Sequence, residues 1–299
     1  MALIKNVALV GATGNLGPSV LEALLKTKDF NITVLKRAES KSKLPASVKV
    51  KVVDFEDEAS LVAALKGQDA VVSTLGTPGF ALQTRLIDAA ASAGVKRFIP
   101  SEFGSDTANP KNSKLPVFQP KIQVEEYLQK KFPETGLTYT FVYNGPFLDW
   151  GLKVPFLLDV QGHKAELYDG GDQLFSATTL AGVGKAVVGV LNHFEDTKNR
   201  FVFVQEAEVS QKQLLNILKK ARPDTKWVEE VVSTSDLEAK ANEDLSKGNI
   251  HDGIWVSFIK RAIFGSGYGG HFKKLDNDLL DVKTFTPSEL EAAVVSTLG

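Results

Sequence analysis

Two groups of residues in this 299-residue chain have the types and spacing to do chemistry. The first is Gly11-Ala12-Thr13-Gly14-Asn15-Leu16-Gly17, a G-x-x-G-x-x-G run. In such a run one glycine permits a tight turn, another lets the backbone approach a pyrophosphate, and the third lets helix and strand pack closely. The second is Lys121, which follows Gln119-Pro120. Proline suits the first helical position, so the lysine falls in the first turn of a helix. There the positive end of the helix dipole and partial desolvation favour the neutral amine, which is what a general base near neutral pH needs. The plain alternative is a surface lysine that helps to open the helix. Glu125, one turn on, would pull the amine back toward its charged form if it faced the same site.

Between these groups lie residues that could complete a dinucleotide site. An acidic residue at the end of the second strand would bind the adenosine ribose of NAD. This chain has Leu35-Lys36-Arg37-Ala38 there, with Lys41 and Lys43 following. Arg37 can pair bidentately with a 2′-phosphate and either lysine can add charge, so NADP(H) is expected, against a merely solvated basic loop. Asp54 and Phe55 would border the adenine, and Thr74, Leu75 and Gly76 the pyrophosphate and nicotinamide ribose. Ser101, Glu102 and Phe103 follow the fifth strand, and Asn144, Pro146 and Phe147 the sixth, where ligands of open parallel sheets bind. Tyr127 and Lys131 fit Y-x-x-x-K, but Tyr127 lies roughly 10 Å into the helix and reads as a packing residue with a polar tip. His163, His193, His251 and His271 are isolated, and no metal site is expected.

The elements that must position these residues are short apolar runs alternating with helical periodicity. Strands are predicted at 6–10, 32–35, 48–53, 70–75, 97–101 and 138–143, with helices following Gly17 and at 58–65, 82–93 and 122–131. This is an α/β fold, a doubly wound parallel sheet over residues 1–145. A helix at 179–191 and a strand at 200–204 would rejoin the sheet, giving a return over about 176–205. Residues 146–175 and 206–299, with helices near 211–221, 235–246, 254–263 and 287–297, would form a smaller α+β substrate lobe. Gly265 to Gly270 reads as a flexible loop that could cover the substrate cleft. Trp150, Phe156, Trp255, Phe258 and Phe264 could line that cleft or serve as plain core.

Composition narrows the classes. Without cysteine there is no disulfide framework, Cys-based zinc site or thiol nucleophile. A net charge of −1 gives no global field for nucleic acid. Met1 to Val10 is apolar, but Lys5 interrupts it and no cleavage region follows. No run approaches the ~18 apolar residues of a span. A cytoplasmic protein with no membrane partner, monomeric or homodimeric, is expected.

The Gly11–Gly17 loop ending in Asn-Leu-Gly, Arg37, Pro100-Ser101-Glu102-Phe103-Gly104, Lys121 and the tail from Asp276 to Leu290 together resemble the NmrA-like and isoflavone reductase-like family. These atypical short-chain dehydrogenases include phenylcoumaran benzylic ether and pinoresinol-lariciresinol reductases. The resemblance implies an NADPH-dependent reductase of a small apolar, aromatic substrate, with Lys121 as general acid/base and Arg37 on the 2′-phosphate. One departure stands out: the plant reductases carry an arginine where this chain has Glu125. The alternative is a non-catalytic NAD(P)-sensing regulator that binds a partner protein.

Overall fold

The computed structural model describes residues 4–298, the side chains of 77 and 78 excepted. The first three residues of the apolar N-terminal run therefore lie outside the described residues. In chain order the first half forms β1 (Asn6–Val10), α1 (Gly17–Thr27), β2 (Asn31–Lys36), β3 (Lys49–Val52), α2 (Glu58–Leu65), β4 (Ala70–Ser73), α3 (Gln83–Ser92), β5 (Arg97–Ile99), α4 (Gln119–Thr135) and β6 (Thr138–Tyr143). The second half forms α5 (Leu148–Lys153), β7 (Lys164–Tyr168), β8 (Phe175–Ala177), α6 (Leu180–Asn192), β9 (Arg200–Phe203), β10 (Ala207–Val209), α7 (Gln211–Ala221), β11 (Val228–Val232), α8 (Thr234–Ser246), α9 (Asp252–Phe264) and α10 (Pro287–Val295).

Seven strands pair in the order β3-β2-β1-β4-β5-β6-β9, all parallel. The chain winds outward from β1 to β3 and then crosses back to β4 on the other side of β1. That reversal opens a crevice beyond the carboxyl ends of β1 and β4. The expected doubly wound sheet is thus the one observed. Alternation along each strand feeds two cores. Val7 and Leu9 face α1 and α6, whereas Ala8 and Val10 face the α2, α3 and α4 layer. No helix among the described residues is long and apolar enough to cross a membrane.

A third core gathers α5, β7, β8, β10, α7 and α10, and a fourth lies between α8 and α9. The tail differs from expectation. Residues 276–282, assigned by sequence to the second lobe, return to the first core, where Leu280 and Val282 are buried against α6. Asp276 anchors the return by accepting from the Phe203 amide and pairing with Arg200. The reason is complementarity across the last strand: β9 sits at the sheet's edge, and this segment supplies the groups that cover it.

Arg97 shows how tightly the sheet is tied. It is 0% exposed in β5, and its guanidinium donates to Thr138 Oγ1 (2.9 Å), Thr140 Oγ1 (2.6 Å), Thr197 Oγ1 (3.0 Å) and the Phe194 carbonyl (2.6 Å). Burial lowers its pKa to about 10, with Glu195 acting in the opposite direction. These bonds join β5, β6 and the turn after α6. Arg97→Ala is expected to destabilise the protein by about 3 kcal/mol through the lost bonds and the cavity left behind. Urea unfolding checks this, and an unchanged midpoint would refute the structural role.

Candidate active site

The loop from Gly11 to Gly17 joins β1 to α1, and its three glycines meet different constraints. Gly11 has φ 82°, and a Cβ there would lie 2.6 Å from the Thr74 carbonyl oxygen. At Gly17 a Cβ would lie 2.1 Å from the Gly11 carbonyl oxygen. Both positions therefore need glycine for the protein's own packing. Gly14 does not: a Cβ there would meet nothing nearer than 3.5 Å. It is exposed, as are Thr13 and Asn15 beside it. No side chain caps the first turn of α1. Although Pro18 has no N–H, Ser19 donates to the Leu16 carbonyl and Gly14 to the Gly11 carbonyl, the amides of Asn15, Leu16 and Gly17 have no backbone acceptor among the described residues. The loop thus has the open face and free donors that a pyrophosphate requires.

Arg37 follows β2 and is exposed. It lines a cavity of about 120 Å3 together with Gly11, Thr13, Ser40, Phe55 and Leu75. A larger cavity of about 670 Å3 adjoins it between α1 and residues 42–45, and Lys43 lines this one, whereas Lys41 lines neither. Phe55 is buried, while Asp54 is exposed and spends one carboxylate oxygen on the Glu56 amide (2.8 Å). Thr74 donates its hydroxyl to the Val10 carbonyl (2.9 Å), clamping β4 to β1 beneath the loop. Leu75 is half-buried and Gly76 exposed at the edge of the same crevice.

Several of the other expected residues face inward as framework. Ser101 donates to the Leu75 carbonyl (2.7 Å), and its amide donates to Gln83 Oε1 (2.9 Å). Phe103 is buried with φ 31°, an unusual conformation for a bulky residue, and it sets a sharp turn after β5. Asn144 is buried, and its carbonyl accepts from Thr178 Oγ1 (2.8 Å). Pro146 is buried and accepts from the Thr178 amide (3.2 Å). Phe147 is half-buried and meets Trp150 edge-on, ring centroids 6.4 Å apart.

Pro120 is the second helical residue of α4 rather than the first, which leaves Lys121 in the first turn as expected. The Lys121 amine donates to the backbone carbonyl of Glu102 and lies 5.8 Å from the Phe80 ring centroid. Dense protein around the amine pulls its pKa below the usual lysine value, while the carboxyls of Glu102 and Glu125 act against that. Glu125 therefore does face the site. Its Oε1 accepts from Thr107 Oγ1 (2.6 Å) and from the Tyr143 hydroxyl (2.8 Å). Glu102, also sequestered, is pushed well above the usual carboxylate range by burial.

Thr107 and Tyr143 are the site residues that sequence reasoning missed. Tyr143 read only as the end of a strand, and Thr107 lies in a polar loop with no periodicity. Tyr127 points elsewhere: its hydroxyl donates to Asp88 (2.7 Å), which also pairs with Lys131 (2.7 Å). The Y-x-x-x-K residues thus bind α4 to α3. Phe258 and Phe264 are fully buried core, whereas Trp150, Phe156 and Trp255 remain half-buried. The Gly265–Gly270 loop is pinned rather than free, since Lys111 donates to the Ser266 carbonyl (3.2 Å) and Tyr268 is buried beside Arg261.

The chain is similar to known proteins along its whole length. The NmrA-like family model matches residues 4–239. The chain is 37% identical over 296 residues to the oxidoreductase aprR of Aspergillus flavus, covering 98% of each. It is 32% identical to the oxidoreductase poxI of Penicillium oxalicum, covering 95% of this chain and 92% of that one. Among solved structures it is similar in fold to AtPrR2 with NADP+ and (+)pinoresinol, with TM-score 0.80 and 22% identity over 99% of this chain and 100% of that one.

The glycine geometry yields a paired expectation. Gly17→Ala should lower stability by roughly 2 kcal/mol or more, because the methyl meets backbone that cannot yield. Gly14→Ala should change it by less than about 0.5 kcal/mol. Thermal unfolding of the two variants checks this, and equal losses would contradict the assigned roles.

Proposed function

The chain belongs to the NmrA-like family, and from that premise we propose that it is an NADPH-dependent oxidoreductase acting on a small apolar, aromatic substrate with Lys121 as general acid/base. The observation that carries this reading is the Lys121 amine, desolvated and held against the Glu102 carbonyl at the carboxyl end of the sheet. Two whole-length relatives named as oxidoreductases support it, as does the NADP+-bound structure of similar fold.

Bound NADPH supplies the hydride. The chain's own residues do the rest. The open loop at Gly14 and the uncapped start of α1 receive the pyrophosphate. Arg37, at the rim of its cavity, pairs with the 2′-phosphate, and Lys43 is better placed than Lys41 to add charge. Lys121 gives a proton to the substrate oxygen or carbon that becomes negative as it is reduced, or takes one in the reverse direction. Phe80 beside the amine, and Phe147 and Trp150, partly exposed after β6, supply apolar surface suited to an aromatic ring.

NADPH oxidation against aromatic ketones, enones, quinones and benzylic ethers tests the reading. Lys121→Ala is expected to lower kcat on the order of 10²- to 10⁴-fold while NADPH still binds. Arg37→Ala should weaken NADPH binding on the order of tenfold to hundredfold and leave NADH binding nearly unchanged. Tight NADPH binding without turnover, unaltered by Lys121→Ala, would favour a nucleotide-sensing regulator instead.

A further inference from the structure

The Lys121 amine has protein against it at Glu102 and Phe80, and a missing side chain beside it at Gly104. Its one hydrogen bond among the described residues goes to the Glu102 carbonyl, and the Phe80 ring centroid lies 5.8 Å away. A charged amine carries three donors, so two are left for another acceptor. A Cβ on Gly104 would lie 3.6 Å from the amine nitrogen and 3.6 Å from the Glu102 carbonyl oxygen. Beyond its chain neighbours it would meet nothing else within 4 Å.

The fold itself does not demand glycine here, unlike at Gly11 and Gly17. The φ of Gly104 lies outside the left-handed region, and both contacts of an added methyl would be ordinary van der Waals ones. Gly104 is half-buried rather than sealed, as is Lys121. Its backbone is nevertheless pinned, because Gly104 bridges to Tyr143 and its carbonyl accepts from the Asn144 (3.2 Å) and Gly145 (3.0 Å) amides. A side chain at this position has no backbone freedom with which to swing away. It would stand beside the hydrogen bond between Lys121 and Glu102.

We propose that Gly104 is a specificity-determining position: its missing side chain keeps open the approach by which a substrate oxygen reaches the Lys121 amine, and so limits the bulk that the substrate carries beside that oxygen. The inference rests on the reading of Lys121 as general acid/base. An oxygen hydrogen-bonded to the amine stands about 3 Å from the nitrogen. Even a methyl on Gly104 would stand only 3.6 Å from the same atom, so it would border the reacting oxygen directly. Branching at that position would crowd the oxygen out. By the same geometry, the substrate class favoured is an aromatic compound whose reacting oxygen has a small group on the side away from the ring.

Two measurements on the whole protein test this, one of them without turnover. In reductive methylation with formaldehyde and cyanoborohydride, peptide mass spectrometry should find Lys121 modified in the wild type. Modification should slow in Gly104→Ala and further in Gly104→Val, while exposed Lys130 on the same helix reacts as before. Gly104→Ala should keep its thermal midpoint within about 2 °C of wild type, since the methyl meets no close contact. In turnover, kcat/KM for an aromatic methyl ketone should fall on the order of tenfold in Gly104→Ala and hundredfold in Gly104→Val, and more steeply for the isopropyl ketone of the same ring. Lys121 unreactive in the wild type, or equally reactive in both variants, would overturn the open approach. Equal losses on the two ketones, or no loss, would overturn the specificity role. Absence of turnover by the wild-type protein counts instead against the reductase reading, and the methylation still decides whether Gly104 leaves the amine open.

Discussion

An amine placed where water is scarce must find an acceptor and a counter-charge, and much of the site's architecture answers that demand. Lys121 finds the acceptor in the Glu102 carbonyl. It finds the counter-charge in the carboxyls of Glu102 and Glu125, the second of which in turn accepts from Thr107 and Tyr143. This chain of dependence joins the turn after β5, the loop before α4, α4 itself and the end of β6. The left-handed backbone at Phe103 belongs to it, because the turn there presents the Glu102 carbonyl to Lys121 on α4. Strain of this kind persists where the surroundings over-determine it, and here Phe103 is buried in the first core while the Gly104 carbonyl accepts from the Asn144 and Gly145 amides.

The departure at Glu125 is intelligible in the same terms. An arginine at that position would offer Glu102 a donor and a positive charge. A carboxyl there adds negative charge instead, and with burial, the larger cause, it raises the Glu102 pKa. Glu125 therefore works against burial at Lys121 and in the same direction as burial at Glu102.

The nucleotide-facing half was legible because its signals are local. Val7 to Val10, Ile32 to Leu35 and Ala70 to Ser73 are apolar runs that can only be buried strands between helices, and the spacing of Gly11, Gly14 and Gly17 carries its own steric logic. The second half was less legible because its elements depend on distant partners. The strand β7 exists by pairing with β11, some sixty residues on, and β11 is mostly exposed with Val228 and Val231 facing outward. The six residues of α5 carry too little periodicity to announce a helix. Lys121 was found because Pro120 marks a helix start, and Glu102 because it follows a strand. Ser101 follows the same strand, yet its hydroxyl is spent on the Leu75 carbonyl. Proximity in sequence to a strand end selects the neighbourhood of a site, not the direction in which a side chain points.

That distinction bears on how such a site can change. The framework bonds of Ser101, Thr74 and Thr178 fix where the strands end, and they are made largely to backbone carbonyls that any sequence supplies. The cluster behind Lys121 depends on side chains alone: Glu125, Tyr143 and Thr107 each require the others. A change at one of the three leaves a buried polar group to be satisfied by the rest, and such losses are strongly non-additive. The sheet can therefore tolerate drift around the crevice, while the three groups behind Lys121 are constrained to change together.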